Sequence, residues 1–124
     1  MKSGPVLGRI RTRIMHVLWD QGRAAAQEIT DAINRLEPVA HSTVQSHLRA
    51  LESQSVVGHD KEDRTFIFFP LLSREQVTTS KTRELIDLLF AGSAESLVSY
   101  LAKNSYVSAD EMKRTLDKIN GADE

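Results

Sequence analysis

Ser42, Thr43, Gln45, Ser46 and Arg49 are small or flexible polar residues whose spacing puts them on one face of a helix. Such a face suits base edges and phosphates. Gln45 has the amide geometry for a bidentate pair with adenine, and Arg49 has the fork for guanine or a phosphate. The hydroxyls of Ser42, Thr43 and Ser46 fit phosphates or any base. A solvated helix face has the same composition, so the flanking elements must decide between the two readings. Further along, Lys61 and Arg64 suit phosphates or a minor groove, while Asp60, Glu62 and Asp63 beside them oppose a polyanion. Near the start, Lys2, Arg9, Arg11 and Arg13 precede the first acid, Asp20, and Arg11 is the candidate backbone contact there.

Other chemistry is poorly represented. His16, His41, His47 and His59 are the possible acid-base or metal groups. His16 and Asp20 share a helix face, but no third ligand and no HExxH or cysteine-rich cluster joins them, so neither a metal site nor a cofactor is expected. The chain has no glycine-rich phosphate loop, no GxSxG elbow and no paired carboxylates in a recognisable context, so no catalytic residue is assigned and no enzyme is expected. Absence of cysteine excludes disulfides and thiolate chemistry and agrees with a reducing compartment, which makes the cytoplasm the expected location. No apolar run approaches the roughly 20 residues that span a bilayer, and the first residues lack a signal-peptide core. A membrane partner is not expected.

The elements that must position these residues follow from periodicity. Leu7, Ile10, Ile14, Val17 and Leu18 predict a first helix over Arg9 to Asp20, widened by Met15 and Trp19 and stopped near Gly22. Ile29, Ala32, Ile33 and Leu36 predict a second, which Pro38 ends by Glu37. Val44, Leu48 and Leu51 form the inner face of a third, Ser42 to Gln54, with the polar set opposite. The period then changes to two. Val56, Val57 and His59 lead through Asp60 to Arg64 into Thr65 to Phe69, a hairpin closed by Pro70. Three short helices followed by a hairpin is the order of a winged helix-turn-helix, expected over residues 1–72.

From Ser73 the chain turns helical again. Ser73 with Gln76 and Ser108 with Glu111 have capping-box spacing. Leu85, Leu88, Leu89, Leu97, Val98, Leu101, Met112 and Leu116 give three helices apolar faces. A lobe of this size, residues 73–124, cannot close a core alone, so these residues are expected to pair with a second copy. The expected class is therefore mainly α with a small β-hairpin (α+β), a winged helix-turn-helix followed by a helical dimerisation lobe. Charge is nearly balanced: the first 72 residues carry nine basic and eight acidic groups, the remainder seven and nine. That near-neutrality leaves a second reading open, a winged-helix module that binds proteins without sequence-specific DNA binding.

Leu7-Gly8, Ile14-Met15 with Leu18-Trp19, Glu28-Ile29, Thr43-Val44 with Leu48 and Leu51, and Phe69-Pro70 together resemble the penicillinase and methicillin-resistance repressor family. The resemblance covers nearly the whole chain. It implies a homodimer that binds a palindromic double-stranded DNA operator and represses resistance genes, with the reading helix on Ser42, Thr43, Gln45, Ser46 and Arg49. Where the family usually has Arg-Leu and then Lys-Gly, this chain has Ala50-Leu51 and Gln54-Ser55, which implies weaker or altered binding. Relatives induced by a regulatory protease are cut at an asparagine-phenylalanine bond, replaced here by Ser99-Tyr100-Leu101. Copper-responsive relatives use cysteines that this chain lacks.

Overall fold

The computed structural model describes residues 8–122; Lys2 and Leu7 lie outside them. Helix α1 (Arg9–Gln21) turns Ile14, Met15 and Leu18 inward and ends where Gly22, at φ 85, returns its N–H to the Leu18 carbonyl. A left-handed residue there costs glycine nothing. Trp19 is half-buried rather than central, and its Nε1–H donates to the Leu72 carbonyl at 2.9 Å. A two-residue strand, β1 (Ala24–Ala25), comes next.

Helix α2 (Ala26–Asn34) begins with Glu28 reaching back to the Ala25 N–H and buries Ile29, Thr30 and Ile33. It stops three residues before the expected Glu37, and Leu36 is 67% exposed instead of facing the core. The reason is local. Leu36 and Glu37 both donate to the Ile33 carbonyl in a tight turn, and the Asn34 amide bonds both the N–H and the carbonyl of Val39. That clasp turns the chain into α3 (His41–Ser53), one residue earlier at each end than anticipated.

Strands β2 (Val57–Glu62) and β3 (Thr65–Pro70) pair antiparallel from Val57↔Pro70 to Glu62↔Thr65. The connection is only Asp63 and Arg64, both at positive φ, a two-residue turn matched to strand twist. β1 pairs with the outer side of β3, giving the order β1-β3-β2. The core lies between this sheet and the three helices, where Ala24, Val44, Leu48, Leu51, Val56, Val57 and Phe68 join the residues above. This is a winged helix-turn-helix, and its class is the expected mostly helical one with a small sheet.

Helices α4 (Arg74–Phe90), α5 (Ala94–Lys103) and α6 (Ala109–Ala122) follow. Both anticipated boxes form: the Ser73 and Ser108 hydroxyls accept from the Gln76 and Glu111 N–H groups, whose side chains accept in return. The chain divides into two compact units, one ending at Lys81 and the other starting at Thr82, so α4 contributes to both. Among its described residues the second unit has no buried side chain. Among the described residues no single helix is long and apolar enough to cross a membrane.

Candidate nucleic-acid interface

Helix α3 is held from behind and left open in front. Val44, Leu48 and Leu51 are wholly buried, and Thr30 Oγ1 lies 2.9 Å from His41 Nδ1, tying its first residue to α2. Ser42, Thr43, Gln45, Ser46 and Arg49 are all exposed. None of the five uses its side chain in a hydrogen bond or ion pair with another described residue. Like α1, α3 has no acid in its first turn, whereas α2, α4, α5 and α6 each have at least one. Its N-terminal dipole is therefore left uncompensated toward solvent.

At about 100° per residue, the helix has two rims beside this face. His41, Gln45 and Glu52 stand on the rim toward the hairpin. A cleft of about 430 Å³ separates them from it, also lined by Arg49, His59, Arg64, Thr65 and Phe66. Glu52 and His59 close its base with a 2.5 Å contact, so the hairpin is braced against the helix. Thr43, His47 and Ala50 stand on the other rim, toward α1. There Arg11 Nε donates to His47 Nδ1 at 3.0 Å. Burial, and secondly the Arg11 charge, hold the His47 pKa below the ordinary histidine value.

The ion pairs separate the cations of this unit into two groups. Arg9 and Arg13 share the Glu37 carboxylate, whose pKa the Arg13 hydrogen bond above all keeps low. Arg23 holds Glu62 and Asp60 of β2, and Arg74 holds Asp20 while covering the Trp19 ring. Arg11, Arg49, Lys61 and Arg64 meet no carboxylate in these pairs; Lys61 lies over Phe66. Arg35 also meets no carboxylate among the described residues, but it lines a separate groove with His16, Asp20 and Leu36. The acidic wing tip is thus milder than its sequence suggests, because the single charge of Arg23 is shared by Glu62 and, at 3.7 Å, Asp60, offsetting one of the three acidic charges.

The four histidines go to four places: His16 edge-on to Trp19, His41 to Thr30, His47 to Arg11 and His59 to Glu52. No group of three metal-ligating side chains occurs among the described residues. Sequence reasoning missed His47, Arg23 and the Glu52–His59 brace. His47 alone left a signal, since its position sits between the polar and apolar faces of α3.

The family described as penicillinase repressor matches residues 7–120 of the chain. The penicillinase repressor of Bacillus licheniformis is 21% identical over 112 residues, covering 90% of this chain and 88% of that protein. The methicillin resistance regulatory protein MecI of Staphylococcus aureus is 19% identical over 107 residues, covering 86% and 87%. Among solved structures, the DNA-binding domain of the repressor BlaI superposes with a TM-score of 0.53 at 22% identity, over 61% of this chain and 93% of that one. HlyU from Vibrio cholerae gives 0.51 at 17% identity, over 65% and 83%. These two likenesses establish the fold.

Proposed function

The chain belongs to the penicillinase repressor family of DNA-binding transcriptional repressors, which are not enzymes, and from that premise we propose that it binds a palindromic operator as a homodimer and represses by occluding it. One observation carries the assignment of the reading face. Among the described residues the exposed side of α3 is polar and unpartnered, and Arg49 and Arg64 on one flank and Arg11 on the other, which meet no carboxylate, border it, while most other arginines of the unit are held in ion pairs. α3 enters the major groove, where Gln45 and Arg49 meet base edges and Ser42, Thr43 and Ser46 meet bases or phosphates. Lys61 and Arg64 reach the flanking backbone or minor groove from the wing.

Dimerisation is supported by the second unit's surface. Leu88, Leu89 and Leu116 are each more than half exposed, and Leu85, Val98, Tyr106 and Ile119 are also open. Leu97, Leu101 and Met112 are only half-buried. Covering these side chains against a second copy supplies the core that the unit lacks. A two-fold dimer presents its α3 helices to successive major grooves about 10 base pairs apart and so reads a palindrome.

The test is selection of bound duplexes from random and genomic DNA at controlled salt. Recovery of a palindrome is expected, with affinity falling steeply as salt rises. Arg49→Ala should cost about 1–3 kcal/mol of binding and relax one base position. Ser46→Ala should weaken binding with the oligomer unchanged. Unaltered affinity in both variants rejects this face. No enrichment even at low salt favours a winged-helix module that binds proteins instead.

A further inference from the structure

The α1 rim of the reading face is built by a contact that no feature of a solvated surface requires. Arg11 comes from the first turn of α1 and His47 from the middle of α3, 36 positions apart in sequence, and they meet at 3.0 Å in a half-buried setting. A guanidinium can only donate, so the Nδ1 it meets must be the bare nitrogen, and the ring proton must sit on Nε2. The imidazole is therefore neutral when the bond exists, in agreement with its lowered pKa. Arg11 spends Nε on this bond, and neither Nη group is hydrogen-bonded to another described residue. Those two groups are the edge that takes an anionic oxygen pair.

Position supplies the rest of the argument. His47 lies between the buried face of α3 and its exposed face, next to Thr43 and Ala50. Ala50 carries no charge, so Arg11 is the cation of that rim. The wing with Arg64 and Lys61 flanks the opposite rim. A helix in a major groove runs between two sugar-phosphate strands, and each rim then faces one of them. We propose that His47 is a positioning residue that holds the Arg11 guanidinium against α3, so that Arg11 grips the phosphate strand on the side of the groove away from the wing. This rests on the assignment of α3 as the helix that enters DNA. The bond does two things for binding: it removes the rotamer freedom of a long side chain before DNA arrives, and it points the Nη edge outward.

Binding of full-length protein to a selected duplex and to an unrelated duplex, each across a salt series, tests the pair. Arg11→Ala should weaken both and lower the slope of log K against log salt by about 1.8, one phosphate contact from each of the two copies. His47→Leu, which removes the acceptor but leaves the arginine, should keep the slope and lose about three- to tenfold in affinity. His47→Asn returns an acceptor oxygen near the Nδ1 position and should bind within about twofold of the parent. The double variant Arg11→Ala/His47→Leu should bind no more weakly than Arg11→Ala alone. Parent binding with an unchanged slope in Arg11→Ala, full affinity in His47→Leu, or additive losses in the double variant overturn the pairing while leaving the reading face intact. Failure of the parent chain to bind any duplex overturns both. Circular dichroism of each variant checks that helix content is kept, because a variant that binds weakly through unfolding would lose its helix signal.

Discussion

Ser55 follows α3 at φ 63, a left-handed conformation that costs an L-residue about 1–2 kcal/mol and glycine much less. It persists because Ser55 N–H donates to the Glu52 carbonyl and Val56 N–H to the Leu51 carbonyl, closing the helix end and delivering Val56 into the core. Ser55→Gly is therefore expected to raise the free energy of unfolding by about 0.5–1 kcal/mol in a denaturant titration. An unchanged or lower value would mean that the serine is not strained. His47 gives a pH prediction at the same scale. Its folded pKa lies below the 6.5 of an ordinary histidine, because burial and then Arg11, the one charge acting on it, disfavour the imidazolium. The unfolded chain thus binds a proton that the folded chain refuses, so this contribution is present above 6.5 and is lost as pH falls from there toward the folded value. Melting of the parent should drop relative to His47→Asn between about pH 7.5 and about pH 5, with groups common to both cancelling. A constant difference across that range contradicts the assignment.

At the level of elements, the helix ends explain where sequence reading succeeded and where it slipped. α1 stops at a glycine, and its end was legible. α2 stops early through the Asn34 clasp, which depends on a carbonyl and an N–H five residues away and leaves no periodic trace. α3 and α5 close on Ser55 and Ser105, both at φ 63, positions where glycine would have marked the turn. β1 has two alanines and no pattern; it exists only because β3 offers it a paired edge. The capping boxes, by contrast, were readable from two residues each. Ser108 accepts from the Glu111 N–H at 3.1 Å and starts a helix with little buried surface to hold it. Ser108→Ala should cost about 1 kcal/mol and reduce helical ellipticity. Retention of both would show that the second unit is held by other contacts.

For the whole molecule, the contrast between the two units is the governing fact. The first closes a core among three helices and a three-stranded sheet, and the second leaves leucines open. Under the proposed dimer, Leu88→Asp with Leu89→Asp should give a monomer in sedimentation experiments. Its operator affinity should fall by roughly 10²–10⁴, since the second contact no longer benefits from tethering. A monomer that binds the operator as tightly as the parent would refute bivalent reading. The same pairing sets the salt dependence, because two copies contact more phosphates than one.

Sequence alone determined the order of helices and hairpin, the inward positions Val44, Leu48 and Leu51, and the polar face opposite them, because periodicity is a local property of backbone geometry. It also carried the family resemblance that the match over residues 7–120 bears out. Tertiary structure decided which charges are free. Arg9, Arg13 and Arg23 look as available as Arg11 in the sequence, but Glu37, Asp60 and Glu62 reach them only after folding brings distant segments together. The meeting of Arg11 with His47 has the same origin: it needs α1 packed across α3, and no local pattern encodes that approach.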